Sequence, residues 1–179
     1  MTASPESARP ESLSLESRIR RLEDRAQISE TVIRYAMGVD QRDWAMFGNC
    51  FTDPVHVEFG LSGLVADLGR DELVSLVRGQ IGGFTATQHL SPNHVIEFSD
   101  ADPDRARCQS YMYAQNYLEG SAGGDFYLAR GSYASDLLRT ADGWRIERLV
   151  QRATWAEGNT GAVAESADRY RAAQARPGR

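Results

Sequence analysis

A carboxylate and an imidazole are the residue types of general acid–base catalysis, and this chain places one aspartate and two histidines where such a pairing is conceivable. Asp40 continues the apolar helical stripe of Ile33 and Ala36 at the next expected spacing, so by register its carboxylate points inward, where a charge is anomalous. The alternative is a helix that has already ended, with Asp40 capping or solvating its last turn. Tyr35 lies on the adjoining stripe Ile28, Val32, Tyr35, Val39 and is expected to be buried or to line an interior. The segment Thr87-Gln88-His89-Leu90-Ser91-Pro92-Asn93-His94-Val95-Ile96 holds two of the three histidines. On a regular strand His89 and His94 face opposite sides, so only one lines an interior unless Pro92 introduces a bulge that resets the alternation. His94 shares its face with Ile96 and Phe98, His89 with Ser91 and Asn93. The third, His56, alternates against Val55 and Val57 beside Glu58 and reads as a solvated strand residue.

Other chemistries are excluded or disfavoured by the same inventory. All 20 cationic side chains are arginine, and without a lysine there is no Schiff base and no pyridoxal-phosphate catalysis. No H-x-x-x-H or H-x-H spacing exists, and two strand histidines facing apart do not chelate one ion, so no metal and no cofactor is expected. Cys50 and Cys108 lack C-x-x-C spacing and read as small buried hydrophobes. Gly120-Ser121-Ala122-Gly123-Gly124 lacks the strand-to-helix context and the lysine of a phosphate loop and reads as a hairpin connection. No G-x-S-x-G elbow is present. Arg148 and Arg152 share one face of the last strand with Arg145 on the other, and most such arginines reach water or pair with carboxylates.

These residues must be positioned by one domain: 179 residues and 19.8 kDa suffice for a single core. Apolar residues at 41% and charged residues at 25% are ordinary for a soluble globule, and no apolar run spans a bilayer. A net charge of −5 argues against nucleic acid as partner. The Ser/Pro-rich start lacks a secretory pattern, so the expected address is the cytoplasm. Residues 1–13 read as a disordered leader, 14–157 as the domain and 158–179 as a flexible or weakly helical tail.

Leu15, Ile19, Leu22, Ala26, Ser29, Ile33 and Ala36 predict a core-facing helix to about residue 41. Asp43 predicts the N-cap of a short helix, Asp53-Pro54 a turn, and Val55, Val57 and Phe59 a strand. Helical spacing returns from Arg70 to Gly82. Four long strands follow: Thr85–Phe98, Arg105–Leu118, Phe126–Arg139 and Trp144–Trp155, pairing antiparallel, with Pro92 and Gly131 as kink or bulge sites. Helices followed by long strands give an α+β fold in which a strongly curved antiparallel sheet encloses a cavity.

The string Ile33-Arg34-Tyr35-Ala36-Met37-Gly38-Val39-Asp40-Gln41-Arg42-Asp43-Trp44, followed by Cys50-Phe51-Thr52-Asp53, resembles the SnoaL-like branch of the nuclear-transport-factor-2-like superfamily, near the scytalone dehydratase and bile-acid dehydratase group. The segments at His89 and at Asp142-Gly143-Trp144-Arg145-Ile146 fit in the same order, so the similarity covers roughly residues 15 to 157. It implies a cone-shaped α+β barrel on N-terminal helices with one deep pocket. It maps a catalytic pair onto His89 and Asp40, with Tyr35 polarising a carbonyl or assisting the leaving group. Arg152 is implied as a further polar pocket residue, and Asn116 and Trp44 complete the expected substrate contacts.

A buried carboxylate that fixes the imidazole tautomer makes a workable base near neutral pH. The expected function is therefore a cofactor-independent dehydratase acting on a small, cyclic, mostly apolar keto substrate, polyketide- or steroid-like. The strand Arg105–Leu118 departs from the family pattern, because its face of Cys108, Ser110, Met112, Ala114 and Asn116 offers no second acid or histidine. Isomerisation or cyclisation needs only proton abstraction and stands as an alternative. A non-catalytic ligand-binding or oxygenase-subunit-like role is another. The outward row Tyr111, Tyr113 and Tyr117 suggests self-association, and the resemblance implies a homotrimer or homodimer.

Overall fold

A computed structural model describes residues 14–175; the leader expected over 1–13 lies outside them. Ser14 caps helix α1 (Leu15–Gln41) by accepting from the Ser17 amide at 3.2 Å, and the helix ends where Arg42 adopts φ 59°. Asp43 then caps α2 (Trp44–Gly48) through the Met46 amide at 2.8 Å. Strands β1 (Phe51–Phe59) and β2 (Leu64–Leu68) precede α3 (Arg70–Ile81), and β3 (Ala86–Leu90), β4 (Val95–Phe98), β5 (Arg105–Tyr117), β6 (Phe126–Thr140) and β7 (Gly143–Gly158) follow it. The chain closes with α4 (Ala162–Gln174). No helix among the described residues is long and apolar enough to cross a membrane.

The architecture is α+β, with the helices packed on one strongly curved sheet of order β2-β1-β7-β6-β5-β3, and β4 also on β5. The long strands pair antiparallel as their turns require, but β1 runs parallel to β7, so the sheet is mixed. Its path ends on β2 and β3 and does not close. Ile28 and Val32 from α1, Phe47 from α2 and Phe51, Val57, Leu137, Ile146 and Leu149 from the sheet form the core.

Three local expectations are corrected. The buried stripe of α1 is Asp24, Ile28, Val32, Tyr35 and Val39, whereas Leu15, Ile19, Leu22 and Ile33 of the other stripe are exposed. Asp53-Pro54 does not terminate anything: β1 runs through it, and β2, for which the sequence offered no signal, pairs with its far end. The segment Thr85–Phe98 is two strands. Leu90 pairs with Tyr113 and Val95 with Gln109, so β3–β4 spends one residue more than β5 over the same stretch. Pro92 has no amide to continue the ladder and Asn93 sits at φ 64°, which makes the break a bulge that exchanges the strand's two faces.

Two glycines are required by close approach. A Cβ on Gly131 would lie 1.8 Å from the Arg152 carbonyl oxygen, at the β6–β7 register shift, and one on Gly83 would lie 2.0 Å from that of Ser166. The second contact seats α4 on α3, where the Ser166 hydroxyl donates to the Gln80 carbonyl at 2.9 Å and Ala162 and Ser166 are fully buried. This helix lies within the segment 158–179, expected from the sequence as a flexible or weakly helical tail.

Candidate active site

The last turn of α1 and the first turn of chain after α3 place Asp40 against β3. Asp40 Oδ1 lies 2.6 Å from His89 Nδ1, and Oδ2 accepts the His89 amide at 2.6 Å. The Thr87 hydroxyl donates to Oδ1 at 2.8 Å and itself accepts from Arg42 Nη1 at 2.8 Å. Arg42 is fixed in turn by the carbonyls of Val39 at 2.7 Å and Phe84 at 3.4 Å. Both members of the pair are largely desolvated, with side-chain exposures of 15% for Asp40 and 10% for His89. Burial pushes the Asp40 carboxyl up, but the hydrogen bonds and charge of His89 and the hydroxyl of Thr87 outweigh it and hold the group below the usual carboxylate range. A carboxylate only accepts, so the proton between the two groups belongs to Nδ1, and Nε2 carries the free lone pair of the neutral ring.

His89 lines a cavity of about 210 Å³ at the concave face of the sheet. Its walls are mostly apolar, with Val39, Phe59, Val77, Ile81, Ala114 and Ala129 among them, and beside His89 its polar groups include Tyr35, Asn116, Tyr127, Tyr133 and Gln151, with Ser62 and Gln80. Thr160 and Val163 bring the C-terminal segment to the same cavity. Tyr35 is 8% exposed and packs edge-on to Phe51 and Tyr133, with ring centroids 6.0 and 5.6 Å apart. Burial first, then Tyr133, pushes its phenol well above the usual range. Burial raises Tyr133 also, against the opposing effect of hydrogen bonding from Tyr35 and Gln151. Both phenols are therefore protonated at neutral pH, and with the Tyr35 proton engaged by Tyr133 it is the Tyr133 proton that suits an oxygen on which charge develops.

Of the residues singled out in the sequence, the structure brings Asp40, His89, Tyr35 and Asn116 to one place. It does not bring Arg152 or Trp44. Between Asp136 and Leu137 of β6, β7 carries one extra residue at Glu147, which moves the inward set from Trp144 and Ile146 to Leu149 and Gln151. Arg152 consequently faces outward and is exposed, and Gln151 takes the cavity position. Trp44, in the first turn of α2, stacks edge-on against Phe47 at 6.3 Å and is not a cavity residue. His94 lies in the β3–β4 break, its Nε2 2.7 Å from the Ser91 carbonyl. His56 pairs with Asp67 at 2.8 Å near the sheet edge.

Tyr127, Tyr133, Gln151 and Arg42 were missed. The alternation Tyr127, Ala129, Gly131, Tyr133 along β6 was the available signal for the two tyrosines; nothing local announced Gln151, whose facing depends on the bulge. Burial pushes the Cys50 thiol up to about 12 and that of Cys108 up to about 11, so neither is a thiolate nucleophile. Among the described residues no three His, Cys, Asp or Glu side chains converge as a metal site.

A small cavity between helices and a curved sheet, with one oriented histidine in its wall, defines a pocket-type α+β protein. The chain belongs to the SnoaL-like domain family, whose model matches residues 20–150. It is 28% identical over 143 residues to the terrestric acid biosynthesis cluster protein E of Penicillium crustosum, covering 77% of this chain and 88% of that protein. In three dimensions it is similar to a candidate scytalone dehydratase of Novosphingobium aromaticivorans, with 18% identity, TM-score 0.69, and coverage of 79% of this chain and 91% of that one. It is equally similar to the hexachlorocyclohexane dehydrochlorinase LinA-type3 of Novosphingobium barchaimii, with 20% identity, TM-score 0.69, and coverage of 79% and 93%. These last two likenesses concern the fold.

Proposed function

We propose that this protein is a cofactor-independent lyase that removes water from a small cyclic keto compound, acting in the cytoplasm, with His89 as general base. The observation that carries the reading is the 2.6 Å contact between Asp40 and His89 Nδ1 in the wall of an apolar cavity. It leaves Nε2 as the basic nitrogen and stabilises the imidazolium formed when a proton is taken from the carbon α to a carbonyl. The Tyr133 phenol, backed by the Tyr35 hydroxyl, then donates to the enolate oxygen, and the imidazolium returns its proton to the departing hydroxide. Support also comes from the dehydratase and dehydrochlorinase of like fold, since both names denote eliminations. At about 210 Å³ the cavity lies below the roughly 300–1,000 Å³ usual for pockets that take drug-sized ligands, which favours one or two rings over a four-ring steroid.

Isomerisation or cyclisation on the same pair is the second reading, favoured by the lack of a second acid or histidine on the β5 face. The test is exchange of the substrate's α-proton into D₂O, followed by NMR across a panel of bicyclic β-hydroxy ketones, together with product mass. His89→Ala is expected to slow exchange and turnover by on the order of 10² to 10⁴. Loss of one water from the product separates elimination from isomerisation, and undiminished exchange in the variant would refute both. Self-association is part of the proposal: Tyr111 and Phe126 are exposed at 62% and 60% on the outer sheet face.

A further inference from the structure

Asn116 is 3% exposed, yet half of its amide is unused. Its Nδ2 donates to the carbonyls of Ala114 at 3.1 Å and Tyr127 at 3.4 Å, while Oδ1 is buried without a hydrogen-bond partner. Rotating the amide would set Oδ1 against two carbonyl oxygens, so the free atom is the acceptor and the orientation is fixed by the backbone around it. Buried polar atoms are nearly always paired, and because Asn116 lines the cavity a ligand there can supply the missing partner.

The sheet register says where that partner sits. His89 is opposite Ala114 and Thr87 is opposite Asn116, so Asn116 is the diagonal neighbour of His89, roughly 7–8 Å away across the same face. The residues flanking the gap are small: Ala114, and Ala129 opposite it on β6. A six-membered ring resting on these two alanines would present one edge to His89 and the other to Asn116.

We propose that Asn116 Oδ1 accepts a hydrogen bond from a free hydroxyl of the substrate, carried on the ring that His89 deprotonates or on one fused to it. The cavity then selects hydroxylated one- or two-ring ketones and rejects their methyl ethers and deoxy analogues. The placement of the hydroxyl relative to the reacting carbon rests on the general-base reading of His89; the recognition of a hydroxyl by Asn116 does not. An ether leaves Oδ1 buried and unpaired and adds a methyl group against it, which a matched hydroxyl avoids.

The experiment is calorimetric titration of the full chain with α-tetralones bearing one phenolic hydroxyl at different ring positions, each beside its own methyl ether. For the best-placed isomer, the hydroxyl compound is expected to bind on the order of 10- to 100-fold more tightly than its ether. Asn116→Leu should bring that ratio close to one with little loss of ether affinity. Ratios near one for every isomer in the unaltered protein would overturn the proposal, and that measurement needs no variant to fold. A ratio that survives Asn116→Leu would overturn it as well. The same titrations on His89→Ala separate the two claims: a retained ratio upholds the role of Asn116 even if α-proton exchange shows that His89 is not the base.

Discussion

Helix α1 holds two desolvated carboxylates, Asp24 in its N-terminal half and Asp40 in its last turn, and their partners differ in one respect that decides what each can do. Asp24 is 5% exposed and receives the guanidinium of Arg139, with Nη2 at 2.7 Å, and the Trp144 indole at 3.0 Å. Asp40 receives an imidazole, a hydroxyl and an amide. Both carboxyls lie below their usual range, Asp24 through the Arg139 hydrogen bond first and Asp40 because its donors overcome burial. Arg139 keeps its proton at any pH the protein survives, so the Asp24 cluster only clamps α1 to the β6–β7 hairpin. His89 stands in the cavity wall with Nδ1 on Asp40 and Nε2 left free, the arrangement that the proposed general base requires. A buried carboxylate on a helix does not by itself mark an active site; a partner with a free nitrogen in a cavity wall is what sets Asp40 apart.

Asparagine at position 40 should break the comparison most severely. Its single oxygen cannot accept from Thr87 and from both His89 donors, and its NH₂ group favours the wrong imidazole tautomer, with the proton on Nε2. Turnover of Asp40→Asn is expected to fall by about 10³ or more, as when a triad carboxylate becomes an amide, while the far-UV spectrum is unchanged. Nitrogen chemical shifts of His89 would report the tautomer directly. Asp24→Ala should do the reverse. Removing one partner of a buried pair strands Arg139 and the Trp144 indole, costing about 3 kcal/mol, at the low end because Arg139 is 30% exposed and keeps Asp104. The melting temperature should drop by roughly 6–12 °C, with turnover per folded molecule nearly unchanged. Equal losses of turnover in the two variants would erase the distinction between clamp and site.

The two ends of α1 also show what sequence could reveal. Its periodicity offered two stripes, and the more apolar one, with Leu15, Ile19 and Leu22, proved exposed, because residues before Asp24 have little of the chain's own sheet to pack against. Asp40 still reached the site, since it follows Val39 at the point where the helix ends and β3 crosses it. The facing of Asn116 was legible because β5 alternates without interruption over 13 residues. Where a strand carries a bulge the alternation fails silently: one extra residue at Glu147 turned Arg152 out and Gln151 in, and one near Pro92 split a strand in two. Arg42 escaped notice for another reason. Its value lies in a left-handed backbone that brings the guanidinium to Thr87, a contact 45 residues distant in sequence.

Acid titration sharpens the comparison by a smaller effect. Each carboxyl has a lower pKa folded than unfolded, so its contribution to stability is complete above the unfolded value of about 3.9 and disappears as pH falls through the folded value. In that window the unfolded chain binds more protons, and stability must rise with pH. Urea unfolding in steps from about pH 5 to pH 2 should show this slope, and Asp24→Ala should flatten it. Asp40→Asn should flatten it less, because burial opposes the depression at Asp40 as the largest influence, whereas at Asp24 the Arg139 bond is the largest and favours it. A steeper loss of slope in Asp40→Asn than in Asp24→Ala would mean that the carboxylate at the cavity, not the clamp, carries more of the fold's acid sensitivity, and the division of labour proposed along α1 would have to be redrawn.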